Sequence, residues 1–293
     1  METTHLMNPI SETDLILNAD GSIYHLNILP EDVADTVITV GDPDRVAEVS
    51  QYFDCIELKK GKREFITHTG TIGKKRISVV STGIGTDNID IVLNELDALV
   101  NIDFNTRLPK TSLTSLEIIR IGTSGAIQED IPIDSILVSE FAVGLDTTMH
   151  FYTKNMTNNE HLILNEMKNH FHPLNEFSPY IGSADIQLLK QISHDLQRGI
   201  TITAPGFYSP QGREVRAKNA IPNLINRLQT FHLQAYRFTN LEMETAGIYA
   251  LSTTLGHRAL SVNAIIASRV KKEFSKNPQK TIDKTIRLVL DRL

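Results

Sequence analysis

Three short stretches of this 293-residue chain share one design, an apolar or β-branched run that ends in glycine. They are Val37-Ile38-Thr39-Val40-Gly41-Asp42-Pro43-Asp44-Arg45, Val79-Val80-Ser81-Thr82-Gly83-Ile84-Gly85 and Arg120-Ile121-Gly122-Thr123-Ser124-Gly125. A glycine turn after a strand exposes backbone N–H groups, which with a nearby guanidinium make a nest for a small oxyanion. Arg45 and Arg120 supply the forked, permanently charged donors that suit phosphate. One such segment alone is most often an ordinary turn. Three in one chain, two of them with arginine close by, point to an anion site.

Two further clusters carry chemistry. Gln211-Gly212-Arg213, just after Phe207-Tyr208, joins an amide, a guanidinium and aromatic faces in one loop. That mixture suits a planar heterocycle with carbonyl and N–H edges. Glu242-Met243-Glu244 follows Asn240 where a helix is expected to start. On a helix, carboxylates one residue apart diverge, which argues against an acid/base pair. Two readings stand for them: acidity that complements the helix dipole, or a carboxylate that accepts hydrogen bonds from vicinal hydroxyls.

Other chemistries are excluded by spacing. Gly83-Ile84-Gly85 is followed by Asn88 where a dinucleotide fingerprint needs its third glycine. The glycines around Gly70 and Lys74 do not match a P-loop. The ten histidines show no helical metal spacing, and neither Ser81 nor Ser124 lies in a G-x-S-x-G elbow. Cys55 is the single cysteine, so neither an intrachain disulfide nor a cysteine-built zinc site can form.

These residues need a scaffold, and the hydrophobic pattern supplies one. Strands are expected over 36–40, 64–69, 76–81, 116–121, 135–139, 199–204 and 259–267. Helices are expected over 45–53, 87–100, 159–171, 184–196, 242–255 and 281–293, the first started by Asp42-Pro43. Strand and helix alternate, which implies an α/β fold around one central sheet. Residues 1–24 read as an arm and 25–293 as one domain, with polar surface insertions at 105–114 and 168–179. A formal charge of −6, from 29 basic and 35 acidic residues, is wrong for a nucleic-acid backbone. No secretory signal and no run of ~18 apolar residues is present, so the expected location is the cytoplasm.

Taken together, these segments resemble the nucleoside phosphorylase superfamily, and within it the uridine phosphorylases. The matching stretches are GDPDRV (41–46), KREF (62–65), STGIG (81–85), RIGTSGAIQ (120–128), FYSPQGR (207–213) and LEMETA (241–246). The likeness runs from about His25 to the C-terminus. It implies a single-domain three-layer α/β/α sandwich around a mixed sheet. The implied activity is reversible phosphorolysis of uridine to uracil and ribose 1-phosphate, in pyrimidine salvage. Inorganic phosphate would be a co-substrate, and no cofactor is implied.

The resemblance also assigns roles. Gly41, Arg45, Arg120 and Thr123 would hold phosphate, with Arg63 reaching in from a neighbouring subunit. Met243 and Glu244 would contact ribose, and His25 would bind its 5′-hydroxyl from across a dimer interface. Gln211 and Arg213 would read uracil and act on the leaving group, with Phe207 against the base and Arg269 supporting the loop. The implied assembly is a homodimer or a homohexamer built as a trimer of dimers, with no nucleic-acid or membrane partner. Some relatives bind a monovalent cation, potassium, at positions matching Glu64, Ile84 and Asn88; Thr86-Asp87-Asn88 here departs from the usual Gly-Pro-Ser. Purine-specific relatives carry an Asp near Ala267-Ser268-Arg269 that protonates N7, and this chain has none. Competing readings are a purine phosphorylase, a nucleosidase of the same fold, and a non-catalytic nucleoside-binding relative.

Overall fold

The computed structural model describes residues 8–171 and 178–293. Its first half runs β1 (Thr36–Val40), α1 (Pro43–Ser50), β2 (Cys55–Lys62), β3 (Phe65–Ile72), β4 (Lys75–Ser81) and α2 (Thr86–Asn101). A short pair, β5 (Ile102–Asp103) and β6 (Leu108–Pro109), precedes β7 (Glu117–Ala126) and β8 (Ile136–Gly144). Then come α3 (Asn158–His170), β9 (Tyr180–Ser183), α4 (Ile186–Ile192), β10 (Gln197–Thr203), α5 (Leu224–Gln229), β11 (His232–Leu233) and β12 (Tyr236–Glu242). The described chain closes with α6 (Thr245–Leu255), β13 (Arg258–Ser268), β14 (Glu273–Phe274) and α7 (Pro278–Asp291).

One mixed sheet organises these elements in the order β11-β12-β10-β8-β13-β7-β1-β4-β3-β2, with β9 on β8 and β14 on β13. Successive residues of β1 face opposite sides, as a strand requires. Ile38 joins Val46, Val49, Leu188 and Ile282 beneath α1, α4 and α7. Val37 joins Leu93, Leu96 and Ile248 beneath α2 and α6. The result is the expected three-layer α/β arrangement. At one end the sheet does more than lie flat: β12 turns back to pair with β7, Asn240 opposite Ala126 and Leu241 opposite Gly125. Strands β7, β13, β8, β10 and β12 therefore close into a small barrel, which removes their free edges. Helices α3 and α5 cover its outer wall through Ile163, Met167 and Leu228 against Ile200, Ile202 and Phe238.

Several sequence expectations change. The strand expected to stop at Ile121 runs on through Gly122-Thr123-Ser124-Gly125, each paired with β13, so this segment is ladder and not a turn. The helix expected from Glu242 starts at Thr245 because Glu242 is the last residue of β12. The helix expected over 184–196 spans only Ile186–Ile192, started by Asp185 accepting from the N–H groups of Gln187 and Leu188. Strands β2, β9 and β12 were not expected. β2 is an edge strand whose alternate residues are exposed, so it lacks the apolar run that marks a buried strand.

The arm and the first insertion are one structural unit. Leu15 and Ile23 are buried in the same cluster as α2. β6 of the expected insertion forms a hairpin with β5 just before it, and Arg107 donates to the carbonyls of Ile10 and Ser11 at 2.7 Å and to that of Leu15. The polar character of 105–114 thus reflects a clamp on residues 10–15. Residues 1–7 of the arm and 172–177 of the second expected insertion lie outside the described residues.

Candidate active site

β1 lies between β4 and β7 and runs parallel to both, with Val40 opposite Ser81 and Thr39 opposite Arg120. The carboxyl ends of such strands form the ligand edge of an α/β sheet. A cavity of about 700 Å³ opens there. All three glycine-containing stretches line it, through Gly41 and Arg45, through Gly83 and Ile84, and through Arg120 and Thr123. So do Met243 and Glu244 after β12, and Phe207, Gln211 and Arg213 of the loop after β10.

Arg120 is the centre of one wall. Its guanidinium is buried, with Nη2 2.5 Å from Glu244 Oε2 and 3.1 Å from Glu242 Oε2, while Nη1 donates to Asn263 Oδ1 at 3.2 Å. Burial disfavours the charged guanidinium, but the two carboxylates more than offset it and hold its pKa above the usual value. Burial pushes the Glu244 carboxyl up; Arg120 opposes that shift, and neighbouring Glu242 adds to it. The other Glu244 oxygen, Oε1, accepts the N–H of Gly85 at 2.9 Å.

Gly122 explains itself here. It lies two residues beyond Arg120, hence on the same strand face, and a Cβ on it would sit 1.7 Å from Arg120 Nη1. The glycine leaves room for the guanidinium to fold over its own strand. The expectation that it makes a turn is corrected accordingly.

The expected divergence of Glu242 and Glu244 is also corrected. Glu242 ends β12 and Glu244 lies in the bend just before α6, so neither is on the helix, and they converge on a single guanidinium. Glu242 Oε1 accepts from Thr203 Oγ1 at 2.5 Å, and Oε2 accepts from the N–H groups of Glu244 and Thr245 at 2.9 Å. Glu242 therefore ties β10, the start of α6 and Arg120 together. Sequence reasoning assigned it no site role. The signal was present, since a carboxylate just before a helix is a natural partner for free N–H groups.

Arg45 completes the cationic wall. α1 is started by Asp42, which accepts from Asp44 N–H, with Pro43 in the first turn, and this aims Arg45 at the cavity. Burial lowers its pKa; Asp42 and Glu48, each only 4.0 Å away, oppose this, and the charge of Arg120 adds to the lowering. Its Nε is buried without a hydrogen-bond partner. Two neighbouring guanidinium groups, one of them with an unspent buried donor, are the setting in which an anion binds well.

The aromatic loop forms another part of the wall. A short turn over Ser209–Gln211 ends at Gly212, whose φ of 68° favours glycine. Arg213 Nη1 donates to the Phe207 carbonyl and to Gln211 Oε1, both at 2.6 Å, and its guanidinium carbon lies 3.8 Å from the Phe207 ring centre. Burial, with the charge of Arg269 next, pulls Arg213 down to about 10. It stays cationic at neutral pH. Arg269 is outside the cavity lining, packed with its Cγ and Cδ 3.3 Å from the Cβ position of Gly125, and burial lowers its pKa.

Arg63 and His25, which the resemblance assigns to a neighbouring subunit's pocket, do not line this cavity. Arg63 is exposed on the β2–β3 turn with φ of 57°. His25 Nδ1 is 2.6 Å from Glu95 Oε1, and Glu95 also accepts the His25 and Leu26 N–H groups. Glu64, Ile84 and Asn88 do line the cavity. However, the Asn88 amide nitrogen faces Glu64 Oε1 at 3.4 Å. A hard cation needs several oxygens, and as arranged this set directs one carboxylate and an N–H donor to the same place. Among the described residues no cluster of three His, Cys, Asp or Glu could hold a metal, and no helix is long and apolar enough to cross a membrane.

The carboxyl ends of parallel strands, a glycine-lined cationic wall and an amide–guanidinium loop thus share one cavity. The chain belongs to the Phosphorylase superfamily, whose model matches residues 35–293. Among individual proteins, it is similar to the uridine phosphorylase of Thermococcus kodakarensis, at 32% identity over 89% of this chain and 83% of that one. The Escherichia coli uridine phosphorylase is 27% identical over 86% of this chain and 88% of its own. Among solved structures, a Trypanosoma brucei nucleoside phosphorylase described as showing uridine phosphorylase activity superposes with a TM-score of 0.85. That likeness is at 30% identity and covers 96% of this chain and 100% of that one.

Proposed function

We propose that this protein catalyses the reversible phosphorolysis of uridine to uracil and ribose 1-phosphate. The observation that carries this reading is one cavity lined by two kinds of guanidinium. Arg45 and Arg120 line one wall, where burial first and the charge of Arg120 among lesser causes lower the Arg45 pKa, with Glu244 against Arg120. Arg213 lines the cavity with the aromatic loop, bonded to Gln211, and burial and then the charge of Arg269 lower its pKa. The first pair takes phosphate with Gly41 and Thr123, Glu244 and Met243 hold the ribose, and the Gln211–Arg213 edge takes uracil with Phe207 against it.

In this reading a phosphate oxygen forms its bond to C1′ while the C1′–N1 bond breaks and its electron pair leaves on uracil. The transition state has oxocarbenium character, and no enzyme nucleophile is needed. The protein orients phosphate, fixes ribose and stabilises the departing anion, which is positioning plus electrostatics. No cofactor is proposed. Its exposed single thiol, Cys55, suits a reducing cytoplasm.

Uridine is expected to be cleaved in phosphate or arsenate and inosine far more slowly, because no Asp stands where purine relatives protonate N7. Side-by-side assays with both nucleosides, with and without the anion, test this. Equal inosine turnover overturns the uracil assignment, and cleavage without either anion makes the enzyme a nucleosidase.

The proposed active unit is a homodimer, alone or within a trimer of dimers, in which Arg63 and His25 serve the neighbouring cavity. Support comes from their positions, since neither lines the cavity of its own chain. Arg63→Ala and Glu244→Ala chains should each be nearly inactive. Refolded together, about half of the dimers are mixed with one intact site each, giving roughly 25% of wild-type activity. Absence of recovery despite subunit exchange would remove the shared-site assignment.

A further inference from the structure

The interior of the barrel is polar where a small closed barrel is ordinarily filled by apolar side chains. Asn263 on β13, Ser139 on β8, Thr201 on β10 and Asn240 on β12 are all fully buried. Arg120 Nη1 donates to Asn263 Oδ1 at 3.2 Å. Asn263 Nδ2 donates to Ser139 Oγ at 3.0 Å, with a longer 3.5 Å contact to Ser261 Oγ. Ser139 and Thr201 share a 2.5 Å hydrogen bond. Thr201 donates to Asn240 Oδ1 at 2.9 Å, and Asn240 Nδ2 donates to Ser124 Oγ at 2.9 Å. Both ends of this chain lie on β7, and both Arg120 and Ser124 line the cavity.

Chemistry sets the direction of the bonds. A guanidinium only donates, so Asn263 must present its oxygen to Arg120 and its amide nitrogen to Ser139. Ser139, accepting there, spends its own proton on Thr201. Thr201 is then free to donate onward to Asn240. A buried amide with both edges committed has no alternative orientation, and partners in such a chain polarise one another. The two glutamates hold only Nη2 of Arg120, and rotation about that point would swing Nη1 away from the anion. Among the described residues, Asn263 alone accepts a hydrogen bond from Nη1.

We propose that Asn263 is a positioning residue for phosphate capture, its amide oriented by Ser139 so that it locks the Arg120 guanidinium toward the anion. This rests on the assignment of phosphate to the Arg120 wall. The role is distinct from filling the barrel, and the two make different predictions. The test titrates inorganic phosphate into the intact protein by calorimetry, with KM for phosphate and for uridine measured in parallel. Asn263→Leu should weaken phosphate binding and raise its KM about tenfold, the worth of one hydrogen bond to a charged group, while the uridine KM moves less than about twofold. Ser139→Ala, which removes little volume, should act in the same direction by about threefold. Combined, the two should do no more than Asn263→Leu alone, because the effect of Ser139 travels through Asn263. Wild-type phosphate affinity in a folded Asn263→Leu or Ser139→Ala protein overturns the proposal. Equal changes in both KM values, or additive effects, also overturn it by pointing to a packing role. Failure of the wild type to bind phosphate would remove the underlying assignment, and that result is read without any variant.

Discussion

Gly122→Ala should leave a folded enzyme with phosphorolysis reduced by about two orders of magnitude, comparable to losing a transition-state donor. The substitution adds a single methyl group, yet its Cβ would lie 1.7 Å from Arg120 Nη1, 2.3 Å from Cζ and 2.7 Å from Nη2. The guanidinium cannot swing aside freely, because Glu242, Glu244 and Asn263 hold it in a buried site. Breaking one partner from a buried ion pair costs about 3–5 kcal/mol, so the loss of activity should come with a lower melting temperature. Combining Gly122→Ala with Arg120→Ala separates the two effects. The double variant should be no less stable and no less active than Arg120→Ala alone, since with the guanidinium gone the added methyl group meets no clash. A Gly122→Ala enzyme with unchanged phosphate KM would show that Arg120 does not need this space.

The same residue shows where the sequence was legible and where it was not. The three glycine-terminated runs, the cationic residues among them and the aromatic loop were readable because each is a local pattern. They do share one cavity. The alternation of elements likewise carried the α/β class, since periodicity is local too. Barrel closure was not readable, because the pairing of Asn240 with Ala126 joins positions far apart in the chain. Without it, Gly122 looks like a turn residue, and Asn263, Ser139 and Thr201 look like polar interruptions in apolar strands. Glu242 was hidden by a boundary error of three residues. With Glu242 at the end of β12 and Glu244 in the bend before α6, two carboxylates expected to diverge on a helix meet on one guanidinium. Arg107 was hidden in the same way, by the polar composition of a segment whose partner, the arm at residues 10–15, precedes it by some ninety residues.

Arg213→Ala should lower kcat/KM for uridine by about 10²–10³-fold with little change in the KM for phosphate, because its charge faces the leaving group. In the C1′–N1 cleavage proposed here, negative charge grows on uracil toward the transition state, so a cation at that edge acts more strongly there than on bound uridine. Two features of the loop raise the expected effect. Burial first and the charge of Arg269 second pull Arg213 down to about 10, so it remains charged at neutral pH in an environment that screens it less than bulk water. Its Nη1 also holds Gln211 Oε1 at 2.6 Å, so its loss frees the amide that reads the base. The chemical signature is dependence on the leaving group. With 5-fluorouridine, whose uracil anion is more stable, the variant should lose less activity than with uridine, since less charge remains for Arg213 to stabilise. A loss of equal size with both nucleosides would mean that Arg213 acts on binding in general, and the leaving-group role would have to be given up.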